Sequence, residues 1–343
     1  MASLVPKTVT FLIGKAAQAI LEASAIFTTY GGTFDNVIEL ADGAPVQRGP
    51  FLITPYQVDH SAYDSYAILV ESDGLRLFYT GDLRGHGRKG KLFERLVAHP
   101  PQNIDVLLME GTTIARTETE SGFPTETDIE NELVDIFRNT SGMPLIWCSG
   151  QNIDRIVTVF RACKRSGRQF IVDMYAAEIL KATGNPRIPQ AHWKEISVYL
   201  PRSQKARIIR QKDFDVAKYY RPFRIFEESL AAVSRQSVML FRPNMRWELE
   251  EAGCLDGACL VYSMWDGYLE KEETKPFLAW LHDHGIPMHK CHTSGHASVK
   301  DLRRLRNAFA SAVVVPIHTE QPASFNTLFE NVEMHADGEW WTL

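Results

Sequence analysis

Two stretches of this chain concentrate the residue types that do metal, phosphate and acid–base chemistry. The first, Lys290-Cys291-His292-Thr293-Ser294-Gly295-His296-Ala297-Ser298, sets two histidines four residues apart in a loop of small residues. A basic segment, Asp301-Leu302-Arg303-Arg304-Leu305-Arg306, follows it. Histidines at the mouth of such a loop, just before a helix N-terminus, suit an anion or phosphate site, because imidazole donors and unsatisfied backbone N–H groups point the same way. The second stretch is the apolar run Val313-Val314-Val315-Pro316-Ile317, which ends in His318. A histidine closing a buried strand suits metal ligation.

Three further residues belong with these by type and place. His60, in Val58-Asp59-His60-Ser61, lies in a loop between two strand-like segments. Asp82, in Tyr79-Thr80-Gly81-Asp82, lies just past a strand end, and Glu110 ends the run Asp105–Met109. Taken singly, a loop histidine is usually solvated or structural, and Gly-Asp after a strand is usually a turn. Together, His60, Asp82 and His318 offer two imidazoles and a carboxylate at strand termini, a donor set for Zn²⁺ or Mn²⁺ in which the carboxylate can bridge two ions.

The elements that must position these groups are legible in the patterning. Residues 8–12 form a short strand that leads into a helix, and Thr28–Gly49 reads as irregular and Gly-rich. Phe51–Thr54, Tyr66–Val70 and Leu75–Tyr79 are strands, the last two joined by the turn Ser72-Asp73-Gly74. Near residue 114 the pattern changes. Overlapping acidic capping boxes, Thr125 with Asp128 and Thr127 with Glu130, start a helix that runs to about Arg138. Strand Leu145–Cys148, helix Ile153–Ser166 and strand Phe170–Asp173 make a βαβ unit, which implies a parallel sheet. Val238–Phe241 and Ala258–Tyr262 are buried strands and Pro276–His284 a helix, while 180–235 mixes helical and loop character.

Composition narrows the classes. With 343 residues, 45% hydrophobic and 23% charged, the chain has the make-up of a water-soluble protein with two domains. A net charge of −5 excludes a general polyanion coat, so any nucleic-acid contact is a local patch. Two basic segments qualify: Arg84, Arg88, Lys89 and Lys91, and the series Arg202, Lys205, Arg207, Arg210, Lys212, Lys218, Arg221 and Arg224. The latter reads equally as a solvated helix face. Five cysteines without a CxxC pair fit a reducing compartment, and no apolar stretch reaches a membrane span, so a cytoplasmic protein is expected.

In order and local sequence these landmarks resemble the β-CASP branch of the metallo-β-lactamase-fold hydrolases, the group that includes ribonuclease J, over nearly the whole chain. His60 resembles the third metal motif of that group, Asp82 its bridging aspartate and His318 its last metal ligand. Glu110 resembles its acidic motif, and His296 the histidine near the scissile phosphate. Ser149–Asn152 and Tyr262–Tyr268 resemble landmarks of the inserted β-CASP domain. The resemblance implies an α/β fold in which residues 1–119 and 286–343 form a metallo-β-lactamase αββα sandwich. Residues 120–285 would be the β-CASP insert, a parallel sheet with flanking helices. It implies metal-assisted hydrolysis of RNA or another phosphodiester by two Zn²⁺ or Mn²⁺ ions. In that scheme His296, with Ser294, Gly295 and neighbouring His292, contacts the phosphate and assists the leaving group, and Glu110 orients a histidine.

One motif departs from the pattern. The group's first metal motif, HxHxDH, has no counterpart, because no histidine precedes His60. About two ligands per ion remain where a zinc site takes three or four. The early strands of the sandwich are missing too, so the chain reads as an N-terminally truncated member whose remaining sheet exposes an apolar face. Three activities stay open. They are a metal-dependent hydrolase, a non-catalytic binder of nucleic acid or a partner, and a half-enzyme completed by a second chain carrying HxHxDH. A homodimer is compatible with each.

Overall fold

Among the described residues fifteen short strands alternate with helices. The computed structural model describes residues 8–28, 32–115 and 121–342. In chain order the strands are β1 (Phe11–Gly14), β2 (Val37–Leu40), β3 (Val46–Arg48), β4 (Phe51–Gln57), β5 (Tyr66–Ser72), β6 (Leu75–Tyr79), β7 (Val106–Glu110), β8 (Pro144–Trp147), β9 (Gln169–Asp173), β10 (Ile196–Tyr199), β11 (Arg224–Ile225), β12 (Ser237–Leu240), β13 (Cys259–Tyr262), β14 (Met288–Lys290) and β15 (Val313–Ile317). The chain divides into two compact units. One comprises the described residues of Met1–Phe11, Ala16–Asn36 and Glu126–Thr293, the other those of Leu12–Lys15, Val37–Thr125 and Ser294–Leu343. The expected boundary at 119/120 lies outside the described residues.

The first unit is built on a seven-stranded sheet in the order β11-β10-β9-β12-β8-β13-β14, with every pairing parallel. Parallel strands need crossovers and are buried on both faces, which is why β8, β9, β12 and β13 are near-continuous apolar runs. Leu145, Ile171, Met239, Leu260 and Phe277 lie in its core. The helix Ile153–Ser166 is capped by Asn152, whose side chain accepts from the Arg155 N–H at 3.0 Å, and it ends at Gly167 with φ 73°. A left-handed residue at that place closes the last turn without a Cβ penalty.

The second unit is built on a six-stranded mixed sheet in the order β15-β7-β6-β5-β4-β3. β15, β7 and β6 run parallel, and the remaining pairs are antiparallel. Between β5 and β6 only Asp73 and Gly74 turn the chain, with φ 52° and 83°, a positive pair that matches the strand twist of a tight hairpin. On one face Ala67, Leu69, Phe78 and Leu107 pack with Phe93 and Leu96 of helix Gly90–Ala98 and with Leu302 and Leu305 of helix Val299–Ala308. Each such large side chain contributes roughly 1.5–3 kcal/mol by leaving water. On the opposite face Phe51, Ile53, Ile68, Val70, Leu75, Leu77 and Tyr79 are half-buried or exposed. This is the incompletely covered apolar face that the sequence led us to expect.

Local differences from the sequence reading have simple causes. The first strand begins at Phe11 rather than residue 8, with its helix at Lys15–Ala25. Thr28–Gly49 is not wholly irregular, since β2 and β3 form there, while residues 29–31 lie outside the described part. Within 180–235 the strands β10 and β11 are four and two residues long, too short to show a period. All five cysteines are buried and free. No helix among the described residues is long and apolar enough to cross a membrane.

Candidate functional site

Sheet direction brings the predicted residues to one rim. β4 runs toward the loop that carries His60, and the antiparallel β5 leaves that same loop. β6 returns and ends before Asp82, while the parallel β7 and β15 end at Glu110 and His318. All four positions therefore share one end of the sheet. His296 joins them from the loop before helix Val299–Ala308, and that helix is capped by Ser298, whose side chain accepts from the Asp301 N–H at 3.2 Å.

The rings pack against one another. The His60 and His296 centroids are 5.3 Å apart and edge-on, and those of His296 and His318 are 5.3 Å apart and stacked. His318 Nδ1 lies 3.3 Å from Asp82 Oδ1, with the histidine 54% and the aspartate 34% exposed. His318 holds φ 48°, a left-handed conformation unusual for a residue with a Cβ and one that turns the chain just past β15. The His60 pKa is lowered to about 3, first by burial and then by the nearby His296, Arg84, Lys89 and His318, so its imidazole is neutral at pH 7.

Glu110 is the anchor. Its carboxylate has no exposed surface and accepts from the Ala297 N–H at 3.1 Å and from the Thr112 N–H at 3.0 Å. It thereby fastens the end of the Ser294–His296 loop to the turn after β7. It also lies 3.6 Å from His296 Nδ1, beyond hydrogen-bond reach. The group that touches the imidazoles is the Thr112 hydroxyl, at 3.1 Å from His296 Nδ1 and 2.8 Å from His318 Nδ1. The sequence reading missed Thr112, since a threonine after a strand end looks like a turn residue.

A second set holds the loop from its other side. Arg84, fully buried, donates from Nη1 to the Ser294 carbonyl at 2.9 Å, and His86 Nε2 meets the same oxygen at 2.9 Å. Asp59, equally buried, lies 3.5 Å from Arg84 Nε. Arg84 is therefore not part of a solvent-facing basic patch, which corrects that expectation. The Ser294 hydroxyl accepts from the His296 N–H at 3.0 Å. Gly295 has no room for more: a Cβ there would stand 2.6 Å from Ser61 Oγ. His292 is exposed and lies in the first unit. In the other basic series Arg202 is engaged by Glu227 and Glu251, and Lys218 by Asp215.

Among the described residues two triads have metal-ligand spacing, with one ligand atom from each member within 4.8 Å of the others: His60, Asp82 and His296, and Glu110, His296 and His318. Imidazole with carboxylate suits Zn²⁺ or Mn²⁺, and three protein ligands match a site with an open position for water. Both triads draw on His296.

No protein-family profile matches the sequence. The chain is 26% identical over 139 residues to ribonuclease J from Mycobacterium tuberculosis, in both strain CDC 1551 / Oshkosh and strain ATCC 25618 / H37Rv; the match covers 38% of this chain. It spans 24% of the length of those curated relatives, so the likeness to ribonuclease J is distant and partial. In three dimensions the chain is similar to a protein of unknown function from Enterococcus faecalis V583, with a TM-score of 0.75 at 20% identity, covering 97% of this chain and 75% of that one. That likeness shows a shared mixed α/β fold.

Proposed function

We propose that this chain is a hydrolase of phosphodiester bonds, with RNA as the first substrate class to test. The carrying observation is the convergence of His60, Asp82, Glu110, His296 and His318 on one rim of the six-stranded sheet, with loop and hydroxyl contacts that fix their orientation. The distant similarity to ribonuclease J supports the nuclease-like reading. On this reading the second unit corresponds to a metallo-β-lactamase domain and the first to a β-CASP insert.

The roles follow from the contacts. Glu110, Arg84 and His86 hold the 294–297 loop from both ends, so its backbone needs no reorganisation when a phosphate arrives. His60, neutral at pH 7, and the exposed His318 present imidazoles to the same space. His296, held through Nδ1 by Thr112, keeps its other ring nitrogen for the same space. A divalent cation held by the histidine–carboxylate cluster would lower the pKa of a coordinated water and offset phosphate charge.

The test is cleavage of 5′-labelled single-stranded RNA by purified protein with Mn²⁺ or Zn²⁺, compared with Asp82→Asn. Metal-dependent products that disappear in the variant support the reading. Binding of the RNA without cleavage under every metal condition would replace it with the non-catalytic one, and cleavage only on adding a second chain carrying HxHxDH with the half-enzyme.

A further inference from the structure

The Thr112 hydroxyl has one hydrogen to donate and two lone pairs to accept with. It has three partners: the His318 carbonyl oxygen at 3.2 Å, His318 Nδ1 at 2.8 Å and His296 Nδ1 at 3.1 Å. A carbonyl oxygen only accepts, so the hydroxyl hydrogen goes to it and both Nδ1 atoms must carry hydrogens directed at Thr112. The surrounding carboxylates agree with this assignment. His318 Nδ1 faces Asp82 at 3.3 Å, and His296 Nδ1 faces Glu110 at 3.6 Å, each a place for an N–H rather than a lone pair. Both rings are then in the Nδ1–H tautomer, and each leaves Nε2 unprotonated.

Of the two triads, the one with Glu110 is already consumed. Both of its oxygens accept backbone N–H groups, and the carboxylate has no exposed surface. The other triad has a half-exposed carboxylate, Asp82, and a histidine, His60, whose Nε2 is buried without a hydrogen-bond partner. His60 Nδ1 accepts the Ala62 N–H at 3.1 Å, so in the cation-free chain its hydrogen sits on that unpartnered Nε2. Loading Nε2 would shift the hydrogen to Nδ1 and release the Ala62 amide.

We propose that the second unit binds a single divalent cation through His60, Asp82 and His296, and that Thr112 is the positioning residue whose hydroxyl makes His296 a ligand by fixing its tautomer. His318 shares the hydroxyl but lies outside this triad. The proposal deepens the hydrolase reading by naming the cation site, and it stands or falls on binding rather than on turnover.

Isothermal titration with Mn²⁺ and with Zn²⁺ on the full chain, backed by metal analysis after gel filtration, reads stoichiometry and affinity. One ion per chain is expected. Asp82→Asn and His296→Ala should abolish tight binding, whereas His318→Ala should retain it within a few-fold. Thr112→Val should weaken binding by roughly 10–100-fold, as loss of a partner that orients a ligand does, and Thr112→Ser should restore it. Nitrogen-15 spectra of the histidine rings in EDTA should show His296 and His318 as Nδ1–H, and the Ala62 amide should shift on adding Zn²⁺. Far-UV circular dichroism confirms that each variant is folded, and the ring spectra test the tautomers in the unmutated chain. Two ions per chain, or binding lost in His318→Ala but kept in His296→Ala, overturns the proposal; so does an absence of binding, or Nε2–H rings. One ion bound as described with no RNA cleavage would sink the hydrolase reading and leave the cation site standing.

Discussion

Replacing Glu110 is the sharpest perturbation of the loop that carries His296. Its two oxygens each accept one backbone N–H, from Ala297 and Thr112, and no water reaches the carboxylate. Glu110→Ala strands both donors. Leaving a buried donor unsatisfied costs about 1–3 kcal/mol, so the pair amounts to roughly 2–6 kcal/mol, taken mostly from the local stability of the 294–297 loop. Glu110→Gln keeps one carbonyl acceptor and should cost about half as much. Native-state hydrogen exchange reads this directly. At about 1.4 kcal/mol per factor of ten, a loss of roughly 2–6 kcal/mol speeds exchange at Ala297 and Thr112 by roughly 30- to 20,000-fold in the alanine variant. Unchanged protection at both amides in Glu110→Ala would refute the claim that this carboxylate fastens the loop. Equal damage from glutamine and alanine would refute the bond count behind it.

Other sites give independent checks. Arg84→Met leaves Asp59 as a buried carboxylate without its guanidinium neighbour and should destabilise the protein by about 3–5 kcal/mol in urea unfolding, and a near-native midpoint would contradict the buried pair. Gly111→Ala would put a Cβ into the Phe325 ring, which is fully buried, and should cost about 1–3 kcal/mol by overpacking, measurable as a lowered melting temperature. His60 has a folded pKa of about 3 against 6.5 for the free side chain, so the unfolded chain binds the extra proton between those values. Its contribution is therefore fully present above pH 6.5 and is lost as pH falls toward 3; ring NMR in EDTA should show no His60 titration between pH 8 and 5.

The rim itself was readable because strand ends are marked in sequence. Apolar runs stop at Tyr79, Met109 and Ile317, and the residues that follow are Asp82, Glu110 and His318. Sheet direction then decides whether such ends coincide, and here it does so through the parallel set β15, β7 and β6. What was not readable depends on long-range pairing. Arg84 belongs by sequence to a basic series, and nothing local shows that Asp59 and the Ser294 carbonyl, 210 positions away along the chain, take it out of solvent. Thr112 is a similar case. The signal for it is slight: a hydroxyl two residues past a strand-end acid, in a chain that gathers imidazoles at the same rim.

The central claim is that the rim cluster hydrolyses phosphodiesters, and His296 is the residue whose removal tests it most directly. The measurement is the initial rate of bis(p-nitrophenyl) phosphate hydrolysis by the intact chain and by His296→Ala, in Mn²⁺ and in Zn²⁺, with folding of both verified by circular dichroism. The account predicts metal-dependent turnover in the parent chain and a loss of at least roughly 100-fold in the variant, as removal of a ligand to the ion that activates the water would give. A folded His296→Ala protein that hydrolyses the diester at the parent rate would contradict it, as would a metal-loaded parent chain with no turnover at all.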